Sequence, residues 1–146
     1  LLRFKFFAEL NDIVNEELRI RKYDWIIHSA AVSDFRPEAY FRGKLDSGKV
    51  QNLRLVSLPK IIQDIRRLAS DAKLVMFKLE SQVSDDTLIQ RAKAALARIG
   101  ADFIIANTIN PYRAFIINKK DKAVFLKTKN ELVNKLLKII TSASGL

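Results

Sequence analysis

The sequence predicts an α/β fold: a Rossmann-like, mostly parallel sheet with helices on both faces, a small antiparallel extension and a flexible flap. Three observations predict it. Short apolar runs of strand length alternate with longer stretches in which apolar residues recur every three or four positions. Capping residues stand where those longer stretches begin and end. The regularity fails in one place, Ser33 to Gln51, where Pro37, Gly43, Gly48 and many charges gather. Strand–helix alternation favours a parallel sheet, because each parallel crossover needs a covering element. With 146 residues and 49% apolar content, one domain spanning 1–146 is expected.

Leu2 to Phe7 reads as a strand, and Leu10, Ile13, Val14 and Leu18 make the face of a first helix. Trp25 to Ala31 is a continuous apolar run, as in a strand buried on both faces. The irregular stretch that follows reads as a long loop or flap, a feature often tied to function. Leu53 to Val56 is a short strand. Pro59 suits a first helical turn, where its missing N–H costs nothing, and Ile61, Ile62, Ile65 and Leu68 share one face. Lys73 to Phe77 is a strand. Ser84, Asp85 and Asp86 offer N-caps for a helix carrying Leu88, Ile89, Ala92, Ala95, Leu96 and Ile99, which stops at Gly100. Asp102 to Asn107 is another buried strand. Phe115 to Asn118 and Ala123 to Leu126 pair around a polar turn. Thr128 and Glu131 fit a capping box for a last helix, with Leu132, Val133, Leu136, Leu137 and Ile140 buried. Thr141 to Leu146 is expected to fray.

Composition narrows the function classes. No apolar run approaches the roughly 20 residues of a membrane span, and no signal peptide is recognisable, so a cytoplasmic protein is expected. The chain has no cysteine and one histidine, His28, which excludes a disulfide framework and a cysteine metal site. His28, inside an apolar run, reads as a strand residue rather than a catalyst. The net charge of +10 admits a nucleic-acid binder or a site for small anions. The basic residues are spread along the chain, and Ile20 and Asp121 break the densest clusters, so small anions are favoured.

The segment Asp24-Trp-Ile-Ile-His-Ser-Ala-Ala-Val-Ser-Asp-Phe-Arg-Pro37 carries the most information about function. Small side chains at Ser29, Ala30 and Ala31 let a flat ligand approach the backbone. Asp34 can hold a metal or a hydroxyl. In open α/β sheets ligands bind just past the carboxyl ends of the strands. Ala30 to Asp34, Leu58 to Ile61, Phe77 to Glu80 and Ala106 to Asn107 should gather at that edge. The turn Pro59-Lys60-Ile61 offers free N–H groups at a helix start, which suits an anion. Lys44 and Lys49 would ordinarily be solvated, but Lys44 shares a loop with Asp34. Phe77 can be core or can stack on a ring. Glu80 could join Asp34 in acid–base chemistry, although nothing in the sequence brings them together.

Two other motifs fail on context. Tyr40 and Lys44 match the Tyr-x-x-x-Lys of short-chain dehydrogenases, and Ile26 to Ala31 is similar to a strand of nucleotide-sugar epimerases. Pro37 and Gly43 bracket the pair, however, and the four glycines form no dinucleotide fingerprint. No P-loop is present either.

Three segments together resemble the phosphopantothenate–cysteine ligase family, also called phosphopantothenoylcysteine synthetase. They are Ala30 to Pro37; Lys44 to Ser47 with Leu58 to Ile61; and Phe77-Lys-Leu-Glu80 with Ile104 to Asn107. The Phe-Lys-Leu-Glu form is more similar to the eukaryotic-type and stand-alone enzymes than to the bifunctional bacterial ones. The resemblance implies a ligase of coenzyme A biosynthesis that joins 4′-phosphopantothenate and L-cysteine through an acyl-nucleotidylate, using CTP or ATP with Mg²⁺. It places Ala30 in the segment lining the base, Asp34 at the nucleotide or its metal, and Lys44 on the triphosphate as the catalytic cation. Leu58, Pro59, Lys60 and Ile61 would form a nucleotide-contacting loop, and Phe77 would flank the base. It further implies a homodimer, fused to or paired with a phosphopantothenoylcysteine decarboxylase, with no nucleic-acid or membrane partner. Two departures stand out. The family's glycine-rich opening and its Asn-x-Ser-Ser-Gly stretch are absent, so the resemblance implies half a site and an isolated chain that turns over nothing. CTP-using members carry two lysines on the helix after the Phe77 strand, and Ala95 and Ile99 are aligned there. The alternatives are a non-catalytic Rossmann-like nucleotide-binding module and a fragment of an NAD(P)-dependent epimerase or dehydrogenase.

Overall fold

The computed structural model describes residues 1–40, 42–48 and 50–143. Phe41 and Lys49 of the expected flap, and 144–146 of the expected tail, lie outside them. A five-stranded sheet, ordered β1-β4-β5-β6-β7, carries the fold. Its strands are β1 (Trp25–His28), β4 (Lys73–Leu79), β5 (Phe103–Thr108), β6 (Arg113–Asn118) and β7 (Ala123–Leu126). The first three are parallel; β6 and β7 are added antiparallel. A separate antiparallel ribbon pairs β2 (Phe35–Pro37) with β3 (Leu55–Ser57).

Helices cover both faces. Phe7, Leu10, Val14 and Leu18 of α1 (Phe7–Ile20) pack on one core, with Ile61 and Ile65 of α2 (Ile61–Leu68) and five buried residues of α3 (Asp85–Ile99). Leu74, Ile104 and Ile117 form the sheet side of that core. On the opposite face, Leu132, Leu136 and Ile139 of α4 (Lys129–Ala143) pack with Val75, Ile105 and Ile116.

The caps act as the sequence suggests. Ser84 Oγ accepts the Thr87 N–H at 3.2 Å, and Gly100 ends α3 in the left-handed region at φ 72°. At α4, Thr128 Oγ1 accepts the Glu131 N–H, and Glu131 in turn accepts the Lys127 N–H.

Four expectations are corrected. Leu2 to Phe7 is not a strand: Phe7 opens α1, and among the described residues no strand pairs with those before it. Glu9 accepts the Lys5 and Phe6 N–H groups and fixes the helix start, and those donors lower its pKa. The Trp25 to Ala31 run is not buried on both faces. β1 is an edge strand of four residues, and Ile27 is 46% exposed. On α4, Val133 and Leu137 are exposed, because only one stripe of that helix meets the sheet. Finally, α4 continues to Ala143, past the point where fraying is expected.

Candidate nucleotide cleft at the strand ends

A cleft of about 150 Å³ opens at the carboxyl ends of β1 and β4, beneath the start of α2. Parallel pairing of β1 with β4 ends both strands at the same edge, and the β1 chain turns away through Ala30 to Asp34. The segment entering α2 closes the other side. Ala30, Asp34, Pro59, Lys60, Ile61 and Phe77 all line this space. Six of the site residues read from the sequence are therefore neighbours, although they come from three separate stretches.

Leu58 holds the cleft together from behind. Its N–H donates to the Asp34 carbonyl at 2.9 Å, tying the loop after β1 to the loop before α2. Ser33 Oγ donates to the Phe35 carbonyl and accepts the Phe35 N–H, which shapes the turn into β2. Lys44 does not line the cleft: it is exposed, in the connection between β2 and β3.

Electrostatically, the centre of the cleft is the ion pair in which Lys60 Nζ donates to Asp34 Oδ1. The side chains of Lys60 and Asp34 are 49% and 58% exposed, so the pair is solvated and worth no more than about 1 kcal/mol. An arriving ligand can exchange either partner at small cost. Lys60 is also the N-cap of α2 and makes no side-chain cap hydrogen bond. The first-turn N–H groups of α2 therefore point their dipoles outward without a side-chain acceptor from the cap residue, a favourable place for an anion.

Among the described residues, Asp34 is the only carboxylate in the lining. Among the described residues, no group of three or more His, Asp or Glu side chains is placed to hold a metal. A dedicated all-protein cation cage is therefore not built here. One carboxylate does fit Mg²⁺ carried in on a nucleotide, because such Mg²⁺ takes most of its remaining ligands from phosphates and water.

Glu80 is not a partner of Asp34. It lies past β4, paired with Lys78 and Arg91 at 3.0 Å each. The Lys78 hydrogen bond, helped by Arg91 and opposed by burial, lowers its pKa and keeps it ionised. Its N–H donates to the Asn107 carbonyl, so Asn107 braces this loop, and neither Ala106 nor Asn107 lines the cleft. Ala95 and Ile99 are buried against the sheet, at 6% and 8% exposure. A lysine there would be buried in the core rather than offered to a ligand; Arg91 is the α3 cation that reaches the end of β4.

His28, which its apolar run marks as a plain strand residue, lines the cleft, as do Met76, Val32 and Ile62. Its position at the end of an apolar strand was the available signal. Larger hollows lie along α1, about 690 Å³, and between α4 and the sheet, about 700 Å³. Neither gathers residues from the carboxyl ends of parallel strands, so the smaller cleft is the better candidate.

A family model for the C-terminal domain of DNA/pantothenate metabolism flavoproteins matches residues 6–142. The chain belongs to this family. The coenzyme A biosynthesis bifunctional protein CoaBC of Thermococcus kodakarensis is 34% identical over 134 residues, covering 88% of this chain and 33% of that protein. Phosphopantothenate–cysteine ligase 2 of Oryza sativa subsp. japonica is 34% identical over 93 residues, covering 61% of this chain and 28% of that protein. The crystal structure of the DNA/pantothenate metabolism flavoprotein from Streptococcus pneumoniae superposes with a TM-score of 0.83 at 28% identity, covering 96% of this chain and 71% of that one. The chain thus spans about a third of the length of the curated relatives it matches. No helix among the described residues is long and apolar enough to cross a membrane.

Proposed function

We propose that this domain is the nucleotide-binding part of a phosphopantothenate–cysteine ligase acting in coenzyme A biosynthesis. The observation that carries the proposal is the cleft at the ends of β1 and β4, which brings Ala30, Asp34, Lys60 and Phe77 together under the start of α2. A relative named as a phosphopantothenate–cysteine ligase and another named for coenzyme A biosynthesis support the reading. In that reaction the carboxylate of 4′-phosphopantothenate attacks the α-phosphate of CTP or ATP, releasing pyrophosphate and forming an acyl-nucleotidylate. The amine of L-cysteine then displaces the nucleoside monophosphate and forms the amide.

The residues have separate tasks. Lys60 and the first turn of α2 attract the phosphates. Asp34 would hold the Mg²⁺ that accompanies the nucleotide, and that metal would neutralise phosphate charge. Ala30 leaves room for the base, and Phe77, which also packs against the Val75 and Ile105 cluster on the α4 side, bounds the cleft beside it. Lys44, on the connection between β2 and β3, swings over the triphosphate and stabilises charge as the α-phosphate is attacked. The chemistry asks for positioning and charge stabilisation rather than a strong base. Phosphopantothenate binding, a homodimer, a linked decarboxylase and a cytoplasmic location belong to the complete protein under this proposal.

Calorimetry of the full natural polypeptide with CTP and ATP in the presence of Mg²⁺ tests the reading: one of them should bind, and NAD(P)H should not. Lys44→Ala should slow acyl-nucleotide formation about 100-fold, the scale of losing one oriented charge-stabilising group. Unchanged turnover in that variant would remove the catalytic role of Lys44.

A further inference from the structure

His28 stands at the end of β1, opposite Met76 in the parallel ladder. Side chains of paired residues share a face of the sheet. The imidazole and the Met76 side chain therefore lie together beneath α2, where Ile61 and Ile62 complete the wall. The ring is half-buried, and burial lowers its pKa, so it is neutral near pH 7. A neutral imidazole carries one N–H donor and one bare nitrogen acceptor.

The other polar groups of the lining are engaged. Asp34 and Lys60 pair with each other, and the Ser33 hydroxyl serves the Phe35 backbone. No hydrogen bond or ion pair to another described residue holds the His28 ring. A half-buried hydrogen-bonding group without a partner among the described residues, set in an otherwise apolar wall, is suited to meeting a ligand.

We propose that His28 is a specificity-determining residue of this cleft, hydrogen-bonding the nucleoside part of the bound triphosphate. The proposal rests on the nucleotide reading above. The phosphates are drawn to Lys60 and the start of α2, since charge-assisted hydrogen bonds outweigh neutral ones. The neutral ring is left for the uncharged sugar or base.

Calorimetry on the full natural polypeptide with Mg²⁺ tests this, using the preferred nucleotide and inorganic tripolyphosphate as titrants. His28→Ala should weaken nucleotide binding about 5-fold, the scale of one net hydrogen bond, and leave tripolyphosphate within about twofold. His28→Gln, which keeps a donor and an acceptor, should recover most of the loss. In turnover assays the nucleotide KM should rise while kcat holds. His28→Leu, which fills the apolar wall, takes the place of His28→Ala if the alanine variant does not fold. Unchanged nucleotide affinity, or an equal loss for tripolyphosphate, overturns the proposal while leaving the nucleotide reading intact. A wild-type protein that binds neither titrant overturns both.

Discussion

The two ends of the sheet each hold an aspartate paired with basic side chains, and they use it in opposite ways. At the amino-terminal end, Asp102 precedes β5 with its side chain 11% exposed. It accepts the Leu74 N–H at 2.9 Å and meets Arg66, Lys119 and Lys73 at 3.3, 3.1 and 3.6 Å. Arg66 also donates to the Ala69, Ser70 and Ala72 carbonyls, locking the turn between α2 and β4. At the carboxyl-terminal end, Asp34 has one cation among the described residues, Lys60, and more than half of its side chain is in water. A carboxylate satisfied from several sides is committed to the fold. One held by a single solvated lysine can be given up to a ligand.

The contrast breaks most visibly at Asp102. Asp102→Ala should destabilise the protein by about 3 kcal/mol in urea unfolding, because it leaves Arg66 partly buried without its counter-charge. A change below about 1 kcal/mol would show that the network is ornamental.

Acid should act through the same residue. Burial works against the Asp102 charge, but the Leu74 N–H and the Lys119 and Lys73 ammoniums outweigh it and lower its pKa. Its stabilising contribution is complete above the unfolded value near about 3.9 and is lost as pH falls through the lower folded value. The midpoint of urea unfolding should therefore drop on acidification from pH 5 to 3, and the slope should flatten in Asp102→Asn.

The helix caps are intermediate. Thr128→Ala removes the acceptor for the Glu131 N–H and should cost about 1 kcal/mol, read as a lower thermal midpoint. Lys60→Ala should change stability least, by no more than about 1 kcal/mol, while lowering nucleotide affinity. Loss of stability comparable to that of Asp102→Ala would erase the distinction between the two ends.

Much of this was legible in the sequence because it is local. The periods of α2 and α3, the caps at Ser84, Gly100 and Thr128, and the hairpin of β6 and β7 depend on residues close along the chain. So do the cleft loops: Asp34 follows β1, and Pro59 stands just before the Lys60 cap of α2 rather than in its first turn, while Phe77 lies within β4 near its end. Leu2 to Phe7 misled because alternating apolar residues suit a strand only where a neighbouring strand completes the ladder. Asp102 and Arg66 gave no signal. They lie 36 residues apart, and a lone charged residue before a strand looks like any solvated one.

The sequence by itself determined the order of elements apart from a first strand that does not form and β2 (Phe35–Pro37) inside the expected flap, together with the caps and the residue types delivered to the ligand edge. Tertiary structure decided which of those residues meet. It put Lys60 on Asp34, left Lys44 outside the cleft and Ala95 and Ile99 in the core, and made β1 an edge strand with His28 turned into the site. The physical reason is that propensity and periodicity act over one or two turns of chain. Parallel pairing joins distant residues, and only the packed sheet sets which side chains share a face.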